Sequence, residues 1–418
     1  MLKPSKNNFR GYASTILIIL SLINVLQSQE KNITFTIQKN PIDTNYWWLE
    51  KNNFGREISE FGFESRLKFK KSNTTYIINL FSDFKKNNLE KIYINESFVK
   101  HHLSDNTFFR FGRYYRDFST YLNDELSSGS MLISHNAQSM PKIGLVTSYI
   151  IKKNDNISFD FGIAHGMFNK NNIYKKEPLL HEKFLYMNII KNDYKLSVGF
   201  VHEAMWGGNI TYAGNQPRTL SNFLKVFISE DGPMDFPHAN ALGNHLGIWD
   251  FSFEKKNNDK ILKLYYQHLF EDTSGLRFAN KTDGLWGVEL IDYLFNTTIL
   301  IEYLNTTNQF INYPYVHEKY YNHGLYGFGW SYKNYTLGNP FIDHLNAIDT
   351  AALHLGIKGT FLNSYTYTMK LSRRTNISDK VKYKLSFSKI INDKNQIDIF
   401  IVNNNSTNGL GISISKNL

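Results

Sequence analysis

The chain has 418 residues, no cysteine and 15% aromatic residues, and its Lys and Arg residues exceed its Asp and Glu residues by ten. The lack of cysteine excludes a small disulfide-stapled scaffold, thiol catalysis and thiolate metal sites. The positive charge is spread through turns rather than gathered in one run, so it indicates a solvated or lipopolysaccharide-facing surface, or a preference for anionic ligands.

The N-terminus has the pattern of a secretory signal peptide. Lys3, Lys6 and Arg10 precede an apolar run over residues 14–26, and small or polar residues follow it. The run is shorter than the about 20 residues of a spanning helix, although an uncleaved anchor is the alternative. We expect residues 1–28 to be a signal peptide and residues 29–418 to form the mature domain.

The rest of the chain alternates apolar with polar side chains, which is the period of a β-strand. Ile157, Phe159, Phe161 and Ile163 fall on one face of such a strand, and residues 61–69, 195–200, 381–388 and 410–415 repeat the pattern. The segments have about the 9–11 residues that a tilted strand needs to cross a bilayer, and Asn-, Lys- and Asp-rich turns separate them.

Two all-β interpretations fit this pattern. A secreted β-sandwich or propeller has the same alternation, but aromatic residues such as Phe108, Tyr114 and Tyr321 sit at strand ends, where membrane barrels place their interfacial girdles. Proline is scarce, and no repeat of propeller-blade length occurs. We therefore predict a large, closed, antiparallel transmembrane β-barrel of about 16–18 strands.

The strand period also predicts which charged residues face the lumen. If Ile299, Ile301 and Tyr303 face lipid, then Glu302 faces inward, because a carboxylate on the lipid side would cost several kcal/mol. The same parity places Glu203 inward.

No enzyme signature is present. The sequence has no zinc helix, no nucleophile elbow, no phosphate loop and no dinucleotide fingerprint, so we expect no cofactor, no metal and no nucleic-acid partner. A pair of carboxylates meeting inside the barrel is the remaining catalytic alternative. The many N-x-Ser/Thr triplets follow from the abundance of Asn and do not predict glycosylation.

Five blocks of the central region carry the most specific information. They are VHEAMWGG (201–208), GNHLGIWD (243–250), YQHLFEDTSG (266–275), DGLWGVE (283–289), and a last block that runs from YYNHG (320–324) through GWSY (329–332) to LGNPF (337–341). In this order they resemble the capsule assembly Wzi family of bacterial outer-membrane proteins, specifically its Bacteroidetes-type members. Weaker similarity extends to YWWL (46–49) and FRFGR (109–113).

The resemblance implies a closed outer-membrane barrel whose periplasmic end is occluded by short helices. It also implies a lectin-like protein that binds capsular or other surface polysaccharide and supports capsule assembly or attachment without covalent catalysis. Its other expected partners are outer-membrane lipid, lipopolysaccharide and capsule export machinery. A closed barrel has no edge strand that demands a partner, so we expect a monomer.

Aromatic rings and convergent polar groups are the usual components of sugar sites. The residues of the blocks that fit this description, together with two arginines of a cationic stripe, form our candidate polysaccharide site: Arg110, Arg113, Glu203, Trp206, His245, Asp250, Gln267, Glu271, Trp286, Glu289, Glu302, His323 and Trp330. Interfacial anchoring is the alternative for each tryptophan, and pairing with an inward carboxylate such as Glu302 is the alternative for each arginine.

A channel for anionic solutes or oligosaccharides is the alternative function, and the net positive charge favours it. The two functions differ in whether the lumen is open.

Overall fold

A computed structural model describes residues 30–41, 45–85, 88–152, 154–230, 241–271, 273–309, 319–362, 364–392, 394–404 and 407–418. The predicted signal peptide, residues 1–28, lies outside the described residues. No helix of the described residues is long and apolar enough to span a membrane.

Strands dominate the described chain. The strands are β1 (Glu30–Lys39), β2 (Phe61–Lys71), β3 (Thr74–Lys85), β4 (Asn88–Ile94), β5 (Ser97–Ser104), β6 (Thr107–Tyr114), β7 (Met140–Ile150), β8 (Ile157–Met167), β9 (Tyr174–Lys176), β10 (Leu179–Lys191), β11 (Tyr194–Trp206), β12 (Asn209–Ile210), β13 (Gly214–Asn215), β14 (Asn244–Asn257), β15 (Lys260–Phe270), β16 (Gly284–Leu294), β17 (Thr297–Asn305), β18 (Ser331–Tyr332), β19 (Tyr335–Thr336), β20 (Ala351–Phe361), β21 (Tyr365–Arg374), β22 (Lys382–Asn392), β23 (Asn395–Asn404) and β24 (Thr407–Asn417). The helices are α1 (Trp47–Glu50), α2 (Leu220–Ile228) and α3 (Thr273–Leu276).

Nineteen of these strands form one antiparallel sheet, and the pairing of β1 with β24 closes it. Strands β4 and β5 both pair with β3 and follow one another along the chain, so they act as one interrupted strand. Within the described residues the wall therefore has eighteen strand positions. The predicted closed antiparallel barrel is confirmed, at the upper end of the predicted strand number.

The two ends of the barrel differ in their connections. At one end, short turns such as residues 72–73, 105–106, 192–193 and 258–259 join neighbouring strands, and the long connections all lie at the other end. Outer-membrane barrels have short periplasmic turns and long extracellular loops. The long-connection end is therefore the extracellular end, and the short-turn end is the periplasmic end.

The predicted alternation of inward and outward side chains holds along the wall. Ile301 and Tyr303 are 51% and 40% exposed on the outer face of β17, whereas Glu302 between them is 1% exposed and faces the lumen. On β11, Leu196 is exposed on the outer face and Glu203 is fully buried.

Glycines let several inward tyrosine rings lie flat against the next strand. A Cβ on Gly199 would come within 2.2 Å of the Tyr186 ring, and a Cβ on Gly287 would come within 2.0 Å of the Tyr265 ring. Any larger residue would displace these rings. The glycines therefore fix the positions of two tyrosine hydroxyls that point into the lumen.

Three long connections fold back and fill the extracellular half of the lumen. They comprise residues 45–57 between β1 and β2, residues 115–139 between β6 and β7, and residues 319–350 between β17 and β20, and together we call them the plug. Phe118, Leu132, Tyr321, Trp330 and Phe341 form part of its apolar core, and each is almost completely buried. The extracellular half of the lumen is thus packed like the core of a soluble domain.

The helices do not occupy the predicted place. All three helices of the described residues lie in connections at the extracellular end, and the lumen is blocked mostly by irregular chain, to which α1 adds a single helical turn. Helix α2 packs against the outer face of the wall, where the Phe223 and Phe227 rings lie 5.4 Å and 5.3 Å from the His181 ring. The apolar, Ser-rich connection over residues 115–139 buries enough side chains to close the barrel without helices.

Candidate functional site

Two inward carboxylates of the predicted site hold the plug. Glu302 accepts hydrogen bonds from Ser127 Oγ at 2.6 Å, from the Ser128 backbone N–H at 2.7 Å and from Tyr265 OH at 2.5 Å. All five oxygen and nitrogen atoms belong to buried residues. The carboxylate of Glu302 is therefore stabilised by hydrogen-bond donors of the plug and wall rather than by a paired cation.

Asp250 on β14 also accepts hydrogen bonds from the plug. It accepts hydrogen bonds from Ser119 Oγ and Tyr186 OH, each at 2.5 Å, and from Tyr121 OH. The plug contributes two of the three donors, and Tyr186 is the ring that Gly199 accommodates. Asp250 therefore joins the plug to the wall.

Glu289 and Gln267 complete this set. Glu289 accepts a hydrogen bond from Asn123 Nδ2 at 2.7 Å and pairs with Lys263 at 3.1 Å. Gln267 accepts from the Met131 backbone N–H at 2.9 Å. These polar side chains are bonded to protein groups in the described structure, so their first role is to position the plug.

The predicted tryptophans are used in packing. Trp330 lies in the core of the plug, where its Nε1 donates to the Leu132 carbonyl at 2.8 Å. Trp206 is on the outer face of the wall and is covered by α2. Trp286 is 41% exposed on the outer face and stacks on Tyr266 with 3.8 Å between ring centroids. Trp206 and Trp286 match the anchoring alternative better than a luminal sugar site.

His245 also lies on the outer face. Its Nδ1 is 2.8 Å from Nε2 of His202, and its Nε2 donates to the Leu242 carbonyl at 3.1 Å. Among the described residues no group of three side chains is arranged to hold a metal ion.

Glu203 lies opposite Glu182 in the pairing of β11 with β10, and both side chains are buried. Glu182 pairs with Lys142 at 2.8 Å, whereas neither carboxylate oxygen of Glu203 has a hydrogen-bond partner in the described structure. Burial of a carboxylate without a partner is costly. Glu203 is therefore a strained position rather than an open binding group.

Two predicted residues lie in the extracellular connections. Glu271 accepts a hydrogen bond from the Lys319 backbone N–H at 3.0 Å, and His323 Nδ1 accepts one from the Tyr326 backbone N–H at 3.1 Å. Both contacts fix the path of residues 319–350.

The arginines pair locally and not with Glu302. Arg110 pairs with Asp117 at 2.9 Å, and Arg116 pairs with Asp124 at 2.7 Å. Arg113 donates to the Ser139 carbonyl at 2.8 Å and to Tyr332 OH at 3.1 Å. Of the predicted site residues, Arg110 also borders the open space of the lumen.

That open space is a cavity of about 390 Å³ in the periplasmic half of the lumen, which we call the chamber. Residues 116–121 of the plug form its roof, and its walls come from β5, β6, β7, β8, β10, β11, β14 and β15. The wall residues lie toward the ends of these strands that carry short turns, so the chamber is closed above and faces the periplasm.

The chamber wall is polar and partly ordered by its own hydrogen bonds. Asp160 accepts from Ser148 Oγ at 2.6 Å and from Asn188 Nδ2 at 2.7 Å, and Asn188 accepts from Ser197 Oγ at 2.6 Å. Lys195, Glu254 and Lys263 lie side by side on three adjacent strands. Hydroxyls, an amide, charges and the Phe118 ring together provide the kinds of contact that a saccharide needs.

Sequence reasoning missed most of these residues. The serines of residues 127–139 resemble a solvated loop, and Lys100, Asp160 and Asn188 belong to strands without a distinctive motif. The strand period predicts that these wall side chains point into the lumen, but it does not predict that they line one cavity, because the cavity depends on the path of the plug.

The fold and the site define a class: a closed outer-membrane β-barrel whose lumen is filled by its own extracellular connections. The family model for the capsule assembly protein Wzi matches residues 49–409. The chain therefore belongs to the Wzi capsule assembly family, and it is a protein of the bacterial outer membrane.

The solved structures that match the chain differ in how similar they are, and the first of them shows the same fold. An Escherichia coli protein described as Wzi, an outer-membrane protein involved in group 1 capsule assembly and a carbohydrate-binding β-barrel, matches with a TM-score of 0.64 and 15% identity, over 100% of this chain and 89% of that one. A mutant porin of Rh. blastica matches with a TM-score of 0.37 and 8% identity, over 93% of this chain and 98% of that one. A loop-deletion mutant of OmpT from Vibrio cholerae has a TM-score of 0.34 and 8% identity, over 93% and 97%. No curated protein sequence matches the chain.

Proposed function

We propose that this protein binds capsular or other surface polysaccharide in a lectin-like manner and supports capsule assembly or attachment without covalent chemistry. The observation that carries the proposal is the chamber, a polar cavity that ends blindly at the plug. A blind cavity retains a ligand, whereas a channel passes it. Membership of the Wzi family and similarity to a carbohydrate-binding barrel support the same function.

The state of the inward carboxylates supports binding without catalysis. Asp250, Glu289 and Glu302 are each engaged by plug donors, so they are not free to act as the acid and base of a glycosidase. Glu203 and Glu182 are buried away from the chamber lining. The carboxylates of the chamber lining are engaged as well: Asp117 pairs with Arg110, Asp160 accepts two hydrogen bonds, and Glu254 lies between two lysines of the neighbouring strands.

The outer wall supports the other proposed partners. Its exposed apolar side chains, including Phe161, Leu185 and Ile301, suit the outer-membrane lipid and lipopolysaccharide around the barrel. Closure of β1 on β24 leaves no wall edge for pairing, which supports a monomer. We place contact with capsule export machinery at the periplasmic end, where the chamber opens.

A binding experiment tests the function. The detergent-folded protein is titrated with intact surface polysaccharide from the producing cells, and the same sample is assayed for new reducing ends. We expect saturable binding and no cleavage, and we expect Ser252→Phe, which fills the chamber, to weaken binding at least tenfold. Lys225→Gln on α2, outside the barrel, is the control and should bind as the unaltered protein does.

The same preparation tests the channel alternative, which the net charge of +10 favours. In a planar bilayer a channel gives large, steady conductance, and we expect almost none because the plug fills the lumen. Steady conductance together with no polysaccharide binding would replace the lectin function by the channel.

A further inference from the structure

The chamber wall contains an unbalanced pair of cations. Lys100 on β5 and Arg110 on β6 lie directly opposite each other in the strand pairing, and both border the chamber. Like charges in directly opposite positions destabilise a sheet. An anion beside this pair would relieve the repulsion.

The protein supplies only part of that neutralisation. Asp117 from the plug pairs with Arg110 at 2.9 Å, and both side chains are largely buried. No described carboxylate lies within 4 Å of Lys100 Nζ, which instead sits 3.6 Å from the centre of the Phe108 ring. A ring face stabilises a cation only modestly. One positive charge therefore remains for a ligand.

The other cations of the chamber lie beside carboxylates. Glu254 lies between Lys195 and Lys263 on the neighbouring strands, and Lys263 also pairs with Glu289. Asp160, on the third strand from Lys100, accepts hydrogen bonds from Ser148 and Asn188, which orient its carboxylate without removing its charge. The chamber therefore has a cationic side, at Lys100 and Arg110 beside the roof, that is separate from Asp160.

We propose that the chamber binds an acidic saccharide from the periplasmic side, with the carboxylate of one sugar beside Lys100 and Arg110. The inference rests on the proposed function and specifies its ligand and its side of entry. The hydroxyls of Ser148, Ser197 and Ser252 contact the neutral part of the sugar, and the Phe118 ring covers an apolar sugar face. The cavity volume lies in the range of small-ligand sites and suits a short segment of a polymer.

The absence of cysteine from the chain permits a clean test. Ser252→Cys places a single thiol in the chamber, and Lys175→Cys places one on an exposed extracellular connection. In intact cells a 5 kDa maleimide-polyethylene glycol should label Cys at 175 and should label Cys at 252 only after the outer membrane is permeabilised. Labelling of position 252 in intact cells would overturn periplasmic entry.

The charge of the site is tested with small reagents. An anionic methanethiosulfonate should modify the 252 thiol about threefold to tenfold faster than its cationic analogue, because the surplus charge at Lys100 attracts the anion. Adding Lys100→Gln should remove this preference, whereas Lys225→Gln should leave it. Equal rates for the two reagents in the presence of Lys100 would contradict the electrostatic argument.

Ligand protection completes the test. Oligosaccharide fragments of the producing cell's surface polysaccharide should slow modification of the 252 thiol, and the same fragments after chemical reduction of their carboxyl groups should not. Equal protection by both preparations, or protection by neither, would overturn the inference. Binding of the intact polymer is measured separately, so a polymer that binds without protecting the thiol refutes the acidic chamber and leaves the proposed function standing.

Discussion

Replacement of Glu302 is expected to loosen the plug without removing the barrel. Its carboxylate accepts three hydrogen bonds from buried donors, two of which belong to the plug. A hydrogen bond to a charged group contributes about 1.5–3 kcal/mol, and deletion of the acceptor leaves the donors buried and unpaired. Because the three bonds share one acceptor and are not additive, we expect Glu302→Ala to lower the free energy of unfolding by about 3–5 kcal/mol.

The control for this change lies on the same connection. Glu125 pairs with Lys358 at 2.6 Å, but both side chains are about half exposed, and such pairs contribute about 0–1 kcal/mol. Glu125→Gln should therefore change the unfolding free energy little. A gel shift on heating in detergent verifies that each variant has formed its barrel.

Two measurements decide the outcome. Three of the six tryptophans, Trp47, Trp48 and Trp330, lie in the plug, so urea unfolding followed by tryptophan fluorescence reports plug and wall together, and planar-bilayer conductance reports the lumen. We expect Glu302→Ala to unfold the plug at lower urea and to show long-lived openings that Glu125→Gln lacks. If the two variants have the same unfolding midpoint and the same low conductance, Glu302 does not anchor the plug and the reasoning is wrong.

Three further changes test other contacts. Burial lowers the pKa of His135 to about 4, so the folded plug favours the neutral imidazole and loses stability as pH falls from about 6.5 toward 4. Over this pH range the free energy of unfolding of His135→Gln should fall by up to about 3 kcal/mol less than that of the unaltered protein. Gly199→Val should displace the Tyr186 ring from Asp250 and lower the unfolding midpoint in urea, whereas Gly324→Val, at an exposed position that meets no neighbouring atoms, is the control for added bulk and should leave the midpoint unchanged. Glu203→Gln should raise the temperature at which the folded band disappears from detergent gels, because it replaces an unpartnered buried carboxylate by an amide able to donate to Glu182. A lower temperature would contradict the strain argument.

The sequence predicts the wall well because a strand's side-chain period is a local property. Residues 157–164, 195–200 and 410–415 lie in strands, and the inward positions of Glu203 and Glu302 follow from parity alone. The number of strands follows from chain length divided by the length of a spanning strand and its turn.

The plug was not predictable by the same means. The bond between Ser127 and Glu302 joins residues 175 positions apart, and nothing in the local sequence of either marks the other. The serines near residue 130 have the composition of an exposed loop, yet they are buried because they enter a lumen that only the closed barrel creates. The positions of the tryptophans, with Trp206 and Trp286 on the outer face and Trp330 in the plug core, could not be predicted locally, because an indole suits a membrane interface or a packed core as well as a sugar.

The position of the plug gives the barrel unequal mechanical properties along its axis. The extracellular half is a cylinder filled at the density of a protein interior, and such an interior has low compressibility. The periplasmic half contains the chamber, which eight of the wall strands and residues 116–121 enclose. Lateral pressure from the bilayer therefore deforms the periplasmic half first, so the chamber mouth is the compliant part of the molecule and the outer surface that faces the capsule is the rigid part.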